Sequence, residues 1–310
     1  MGATSYRCAA WIALIAAIVA SAAPAAAQPY PNRPITLVVP FPPGGSATII
    51  ARIIADKMSE ALGQQIVVDN RGGAGGSIAA RQVAKSAPDG STLLLAFTGT
   101  LAVSPLIFPN VGYDPRKDFA AIGLIGMAPS VLAVNPSVPA HSVADLIKIA
   151  KAAPGQMQYG SPGNGTTNHL AGELLASMAG IKITHIPYKG TGPAITDLLG
   201  GHISMMFAPI PAAHGNVSSG MLRALGVTSL KRSNLWPDIP TIAEAGLPRL
   251  RGGAAVDAAR ARRHAAPHHR AAQQGTQRRA RHRRGEKAAR GRRRRAGAGR
   301  TGGICGRYRP

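Results

Sequence analysis

Between Cys8 and Cys305 the chain has no cysteine. That absence excludes a disulfide framework and a thiolate metal site from the body of the protein. Cys8 also stands before the N-terminal apolar segment, the wrong side for a lipid-anchored cysteine. After that segment no run of roughly 18 uninterrupted apolar residues occurs, so no membrane-spanning helix is expected in the mature chain. Acidic residues are scarce, 13 against 36 Lys and Arg, but the deficit is local. Residues 28–248 carry a net charge of +4, whereas residues 249–310 carry +18 and Arg7 supplies the remaining +1. The formal +23 therefore describes a tail rather than a nucleic-acid-binding body.

Signatures of catalysis are missing as well. Gly72-Gly73-Ala74-Gly75-Gly76 fits neither a phosphate loop nor a dinucleotide fingerprint in spacing, and reads as a flexible turn entering a helix. His141, His169, His185, His202 and His214 show no metal-ligand spacing, and no histidine–carboxylate pair is expected among them. Of these only His169 is a candidate to face a ligand. Ser46 lacks the nucleophile-elbow pattern, and no pair of carboxylates suits acid–base chemistry. No catalytic residue, metal or cofactor is expected, and the chain is not read as an enzyme.

What is present begins with Arg7, an apolar stretch from Ala9 to Ala20, and the small residues Ser21 to Ala27. This is the pattern of a secretory signal over residues 1–27, cleaved after Ala27, and it implies export. From Pro34 to Leu247, short β-rich runs alternate with helical patterns. Strands are expected at Ile35–Val39, Gln65–Val68, Thr92–Ala96, Val131–Asn135, Gln156–Tyr159, Ile183–Ile186, Ile203–Phe207 and Leu222–Val227. Helices are expected at Ser46–Leu62, Gly76–Ser86, Val143–Ala152, Thr166–Ala179 and Pro193–Leu199. Such alternation predicts an α/β fold on mostly parallel sheets. The length of the body favours two lobes, residues 28–127 continued at 229–248, and residues 128–228. The chain would cross between them near Met127-Ala128-Pro129 and return near Thr228-Ser229.

Two lobes leave a cleft, and four turns at strand carboxyl ends can serve it. Pro40-Phe41-Pro42-Pro43-Gly44-Gly45-Ser46 joins an apolar strand to a helix, placing free N–H groups of a first helical turn where an anion can bind. Taken alone the stretch also reads as an ordinary strand-to-helix turn with Ser46 as N-cap. Thr98-Gly99-Thr100, the segment Ser161 to His169, and Ala208-Pro209 complete the set. Backbone N–H and hydroxyl donors without lysine or arginine suit an organic acid.

Several motifs together carry a resemblance. They are Tyr30-Pro31 with Pro34-Ile35, Pro40 to Gly45, Asn70 to Gly76, Pro88-Asp89-Gly90, Tyr159 to Gly165, Pro187-Tyr188-Lys189-Gly190, and Pro240 to Gly246. From about Tyr30 to Pro248 the chain closely resembles the Bug receptors, extracytoplasmic solute-binding proteins of tripartite tricarboxylate transporters. The resemblance implies a two-lobed periplasmic-binding-protein fold of type II, periplasmic and monomeric. Such a protein closes on a small carboxylate and serves membrane transporter subunits or a sensor. Carried over by position, the ligand-facing residues are Phe41, Gly44, Gly45, Ser46, Thr48, Thr98, Thr100, Gly163, Gly165, Thr166, His169, Ala208 and Pro209. Thr48 departs from the family, which commonly carries Asp shortly after the paired glycines. Without that carboxylate, a plain carboxylate ligand is expected rather than an amino acid.

The resemblance stops after Pro248, where the composition turns to Arg, Ala, Gly and His. So little apolar content cannot offset ordering entropy, and residues 249–310 are expected to be disordered. Read one nucleotide later, permitted codons for Arg249 to Gln274 give GYEVALRWTLLAPAGTPRPIIARLNK, which resembles the family's continuation. A frameshift would leave the first lobe without its returning strand, with an exposed sheet edge. Two other functions compete with the receptor. One is a secreted basic protein that binds nucleic acid or anionic surfaces through residues 249–310, and the other an exported hydrolase using Ser46 or Ser161.

Overall fold

The structure, a computed structural model, describes residues 30–250 and 253–261. The expected signal over residues 1–27 and the tail beyond Ala261 lie outside the described residues. In chain order the elements are β1 (Ile35–Val39), α1 (Ser46–Leu62), β2 (Ile66–Asn70), α2 (Ser77–Ala84), β3 (Thr92–Phe97), a π-helical turn at Gly99–Val103, and α3 (Ser104–Ile107). There follow β4 (Phe119–Val134), α4 (Val143–Ala152), β5 (Gln158–Ser161), α5 (Thr167–Ala179), β6 (Thr184–Pro187) and α6 (Thr191–Leu199). The last are β7 (Met205–Pro209), α7 (Ile210–Ser218), β8 (Arg223–Val227) and β9 (Gly253–Ala261).

Two groups of strands share β4. The first runs β2-β1-β3-β9-β4, and the second runs β6-β5-β7-β4 with β8 on the other side of β4. Along its 16 residues β4 pairs with β9 from Phe119 to Pro129, then with β7 from Ser130 to Val134. The change of partner falls between Pro129 and Ser130. There Thr228 donates its N–H to Ser130 O at 2.8 Å and its hydroxyl oxygen accepts the Ser130 N–H at 3.0 Å.

Alternation fixes which side chains go where. Leu132 and Val134 of β4 point into a core with Tyr159, Leu175, Met205 and Phe207, while Val131 and Ala133 join Leu198, Met206 and Ala208 on the opposite face. Strand β1 is covered on both faces, so Ile35, Leu37, Val38 and Val39 are all buried. Gly172 of α5 lies flat on Tyr159, where an added Cβ would stand 2.2 Å from Cε2 of that buried ring. Gly172→Ala is therefore expected to destabilise the protein by ~1–3 kcal/mol through overpacking. Thermal melting checks this, and an unchanged midpoint would show that the Tyr159 ring can move aside.

Three expectations need correction. The sheets are mixed rather than mostly parallel, because β4 and β9 run against their neighbours: β3–β9, β4–β9, β4–β7 and β4–β8 are antiparallel. Helix α7 was not expected, since Pro211 and Gly215 weaken its pattern, yet proline near a helix start is well tolerated. Most consequential is β9. The tail expected to be disordered from residue 249 contributes a strand that fills the space between β3 and β4, so the edge expected to be exposed is paired. Ladder hydrogen bonds are made by the backbone and tolerate almost any small side chain, and this segment is rich in alanine. The exception is Arg260, 5% exposed and in register with Leu93 and Ala120. Its Nη1 reaches Ala261 O at 3.2 Å, but its buried Nε has no hydrogen-bond partner.

Candidate functional site

Five turns that follow strand ends meet across the gap between the two groups of strands, and glycines let them approach closely. A Cβ at Gly75, after β2, would stand 2.5 Å from Asn164 O. One at Gly99, after β3, would stand 2.8 Å from Gly165 O and 3.0 Å from Thr166 Cα. At Gly190, after β6, it would stand 2.8 Å from Pro42 Cδ, and at Gly45, after β1, 3.4 Å from Thr191 Cβ. Gly44 takes the left-handed conformation, φ +88°, whereas Gly45 is extended at φ −98° and ψ 171°. Backbone strain is thus a matter for Gly44, and a side chain at Gly45 meets only the facing helix start.

Between these turns lies a cavity of about 40 Å³. From the first group of strands it is lined by Phe41, Ser46, Ala47, Ile50, Phe97, Gly99 and Thr100. From the second it is lined by Ser130, Pro162, Thr166, Thr167, Asn168, Thr191 and Pro209. None of these side chains is formally charged. Positive potential comes instead from N-terminal turns: Ser46 and Ala47 open α1, Thr167 and Asn168 open α5, and Thr191 opens α6.

Each turn is fixed by local bonds. Thr166 caps α5, its Oγ1 accepting the His169 N–H at 3.4 Å and donating to Gly163 O at 2.7 Å. Thr100 Oγ1 donates to Gly75 O at 3.0 Å, and the Tyr113 hydroxyl donates to Thr100 O. Asn168 Nδ2 donates to Phe207 O at 2.7 Å and to Ser130 Oγ at 3.0 Å, tying α5 to the point where β4 changes partner. Burial pushes the Tyr113 phenol above its usual range. The Tyr188 phenol is pushed up to about 12, by burial and then by its hydrogen bond to the Asp197 carboxylate.

Of the residues carried over by position, Phe41, Ser46, Thr100, Thr166 and Pro209 line the cavity. Gly44 and Gly45 shape its rim. Thr48 Oγ1 accepts a hydrogen bond from Asn70 Nδ2 at 2.8 Å, so this side chain joins α1 to the end of β2. Thr98 precedes the lining pair Gly99 and Thr100, while Gly163 and Gly165 hold positive φ in the loop behind Thr166. Ala208 is fully buried in β7. The expected Ser46 cap is absent, Gly45 taking the cap position without a side-chain bond.

His169 is not among the residues that line the cavity. It pairs with Glu173, four residues on, at 3.8 Å, against the expectation of no histidine–carboxylate pair. Ser161 Oγ does sit 2.7 Å from His185 Nε2, but Ser161 is fully buried and also accepts the Gly163 N–H, so it offers no nucleophile to a substrate. Among the described residues no cluster of His, Cys, Asp and Glu could hold a metal. Sequence reasoning missed Ser130, Asn168 and Thr191. The last follows a strand end and opens a helix, a signal available in Lys189-Gly190-Thr191, whereas Ser130 is one polar residue in an apolar strand.

The family model for the tripartite tricarboxylate transporter family receptor, TctC, matches residues 50–255. This chain belongs to that family. The TctC chain is 47% identical over 220 residues to the "UPF0065 protein in tcbD-tcbE intergenic region" of Pseudomonas sp. strain P51, covering 71% of this chain and 65% of that relative. It is thus similar to somewhat less than two thirds of that protein. With BugT of Bordetella pertussis it shares 42% identity over 240 residues, 77% of this chain and 74% of the relative. In structure the TctC chain is similar to R. palustris Rpa4515 with adipate, with a TM-score of 0.78, 38% identity, and coverage of 80% of this chain and 83% of that one.

Proposed function

We propose that this chain is a periplasmic receptor that encloses a small organic carboxylate between two lobes and presents it to the membrane subunits of a tripartite tricarboxylate transporter or to a sensor. The observation that carries the reading is the uncharged cavity into which helix starts from both sides point. An anion held by N–H groups and hydroxyls there is stabilised without a cationic side chain, and it leaves more easily than from a lysine or arginine clamp. The related Rpa4515 with adipate supports a dicarboxylate of similar chemistry. In this reading the first lobe holds residues 33–129 with β9 and the second holds residues 130–250, because Trp236, Ile239, Ile242, Leu247 and Leu250 pack on the cores around β4 and β7. The turns of the two sides approach closely at Gly75, Gly99 and Gly190, so we read this as the closed arrangement, which a ligand enters when the lobes stand further apart.

The test is calorimetric titration of the chain from residue 28 onward with adipate, succinate, malate and glutamate at neutral pH. Binding of at least one dicarboxylate in the micromolar range is expected, with glutamate weaker because Thr48 replaces the family's Asp. Absence of heat for every carboxylate up to millimolar concentration would overturn the reading.

We also propose that residues 249–310 are read in a shifted frame. In the frame one nucleotide later permitted codons place alanine at position 260, which would remove the buried guanidinium, and Trp, Leu and Leu at positions 256, 258 and 259, which are buried in β9. Determination of the nucleotide sequence across codons 246–249 in independent isolates decides the matter.

A further inference from the structure

The loop from Ser161 to Thr166 is held from behind by two imidazoles. His169 on α5 and His185 on β6 lie ring to ring, centroids 4.2 Å apart and planes inclined by 33°. Tyr159 of β5 packs on His185 at 4.8 Å. His169 Nδ1 accepts the Gly165 N–H at 3.3 Å, and His185 Nε2 meets Ser161 Oγ at 2.7 Å. Ser161 Oγ in turn accepts the Gly163 N–H at 3.1 Å. The pair thus grips both halves of the loop whose last residue, Thr166, caps α5 and lines the cavity. The titratable groups facing the pair are Tyr159 and Glu173. The Tyr159 hydroxyl donates to Glu173 Oε1 at 2.5 Å, and the same oxygen lies 3.8 Å from His169 Nε2.

We propose that His169 and His185 are positioning residues forming a proton-operated clamp, whose protonation frees the Ser161–Thr166 loop and lowers affinity for the bound carboxylate. The proposal rests on the reading of the cavity as a carboxylate site. Its chemistry is specific to His169. An Nδ1 that accepts the Gly165 N–H must carry a lone pair, and a proton there would set N–H against N–H. Two imidazolium rings 4.2 Å apart would also repel each other in a part-buried site, with only the Glu173 carboxylate near to compensate.

The titration has a definite sign. Burial lowers the His169 pKa, partly opposed by Glu173, and burial together with the His169 charge pushes His185 down to about 4. The neutral pair belongs to the ordered loop. The clamp is therefore complete above the ordinary histidine value of ~6.5 and is lost as the pH falls below it. A merely structural role for the rings would change affinity without changing its pH profile.

Two variants separate these roles in the full chain. In His169→Asn the amide oxygen can stand where Nδ1 stood and accept the Gly165 N–H but takes up no proton, whereas His169→Ala removes the acceptor. In ligand-free wild-type protein the NMR resonance of the Gly165 amide should shift between about pH 7.5 and about pH 5, and in His169→Asn it should stay in place. In adipate titrations over the same interval, the ratio of wild-type to His169→Asn affinity should fall with pH, by up to about tenfold for each pH unit over which one proton is taken up. At the higher pH, His169→Ala should bind about three- to tenfold more weakly than either, the worth of one hydrogen bond. A Gly165 resonance that ignores pH in the wild type, or identical pH profiles for wild type and His169→Asn, would overturn the clamp, even if His169→Ala failed to fold. The amide measurement needs no ligand. A shifting Gly165 resonance without adipate binding at the higher pH would count against the carboxylate reading and leave the clamp standing.

Discussion

Gly99→Val should weaken binding of the tightest carboxylate in the titration series by between about tenfold and a hundredfold, the equivalent of ~1–3 kcal/mol of overpacking. The melting temperature of the unliganded protein should hardly change. The Cβ at this position would stand 2.8 Å from Gly165 O and 3.0 Å from Thr166 Cα, both across the gap, so the clash exists only when the two sides are together. Gly99 lies outside the left-handed region, and its substitution carries no backbone penalty that could unfold the first sheet. Gly45→Val is a milder case of the same effect, since its Cβ would stand 3.4 Å from Thr191 Cβ and its φ of −98° suits any residue. Comparison of calorimetric affinities with thermal melts tests the argument. A Gly99→Val protein that binds normally would show that the contact of Gly99 with Gly165 is not made in the bound state.

The second large effect is a gain. Arg260→Met should stabilise the protein by ~1–4 kcal/mol, because it replaces a buried guanidinium that has no carboxylate partner among the described side chains with an apolar chain of similar length. Arg260 is 5% exposed and its Nε is unsatisfied, in a row of β9 that faces Leu93 and Ala120. For a domain of this size the gain corresponds to a rise of several degrees in melting temperature. A fall instead would mean that the guanidinium is solvated, and that residues 253–261 do not occupy the sheet in solution.

The legible part of the molecule was the part where local signals and tertiary environment agree. Strand β1 and helix α1 were readable to the residue because an apolar run, a glycine turn and a long amphipathic pattern follow one another without interruption. Strand β9 was not, because nothing in an alanine- and arginine-rich sequence marks a strand; its position follows from the unpaired backbone of β3 and β4. The first half of β4 was hidden for the same reason, its partner lying more than a hundred residues away. At the site, the turns after β1, β3 and β5 were recognised from glycine and hydroxyl content, and four of the residues carried over on them, Phe41, Ser46, Thr100 and Thr166, line the cavity. His169 was placed by its proximity in sequence to that loop. Helical geometry sets Glu173 one turn on along the same face, leaning back over the His169 ring, a neighbour visible in the four-residue spacing.

The pairing of β4 with β9 also sets a timetable. Strands β4, β5, β7 and β8 lie within residues 119–227 and can assemble as soon as that stretch exists. Strand β3, by contrast, has no neighbour on one side until residues 253–261 arrive, about 160 residues later. Contacts of such wide separation form slowly, because the intervening chain must first be gathered in. While a ribosome is still extending the chain, one half of the molecule can therefore be complete when the other still offers an open strand.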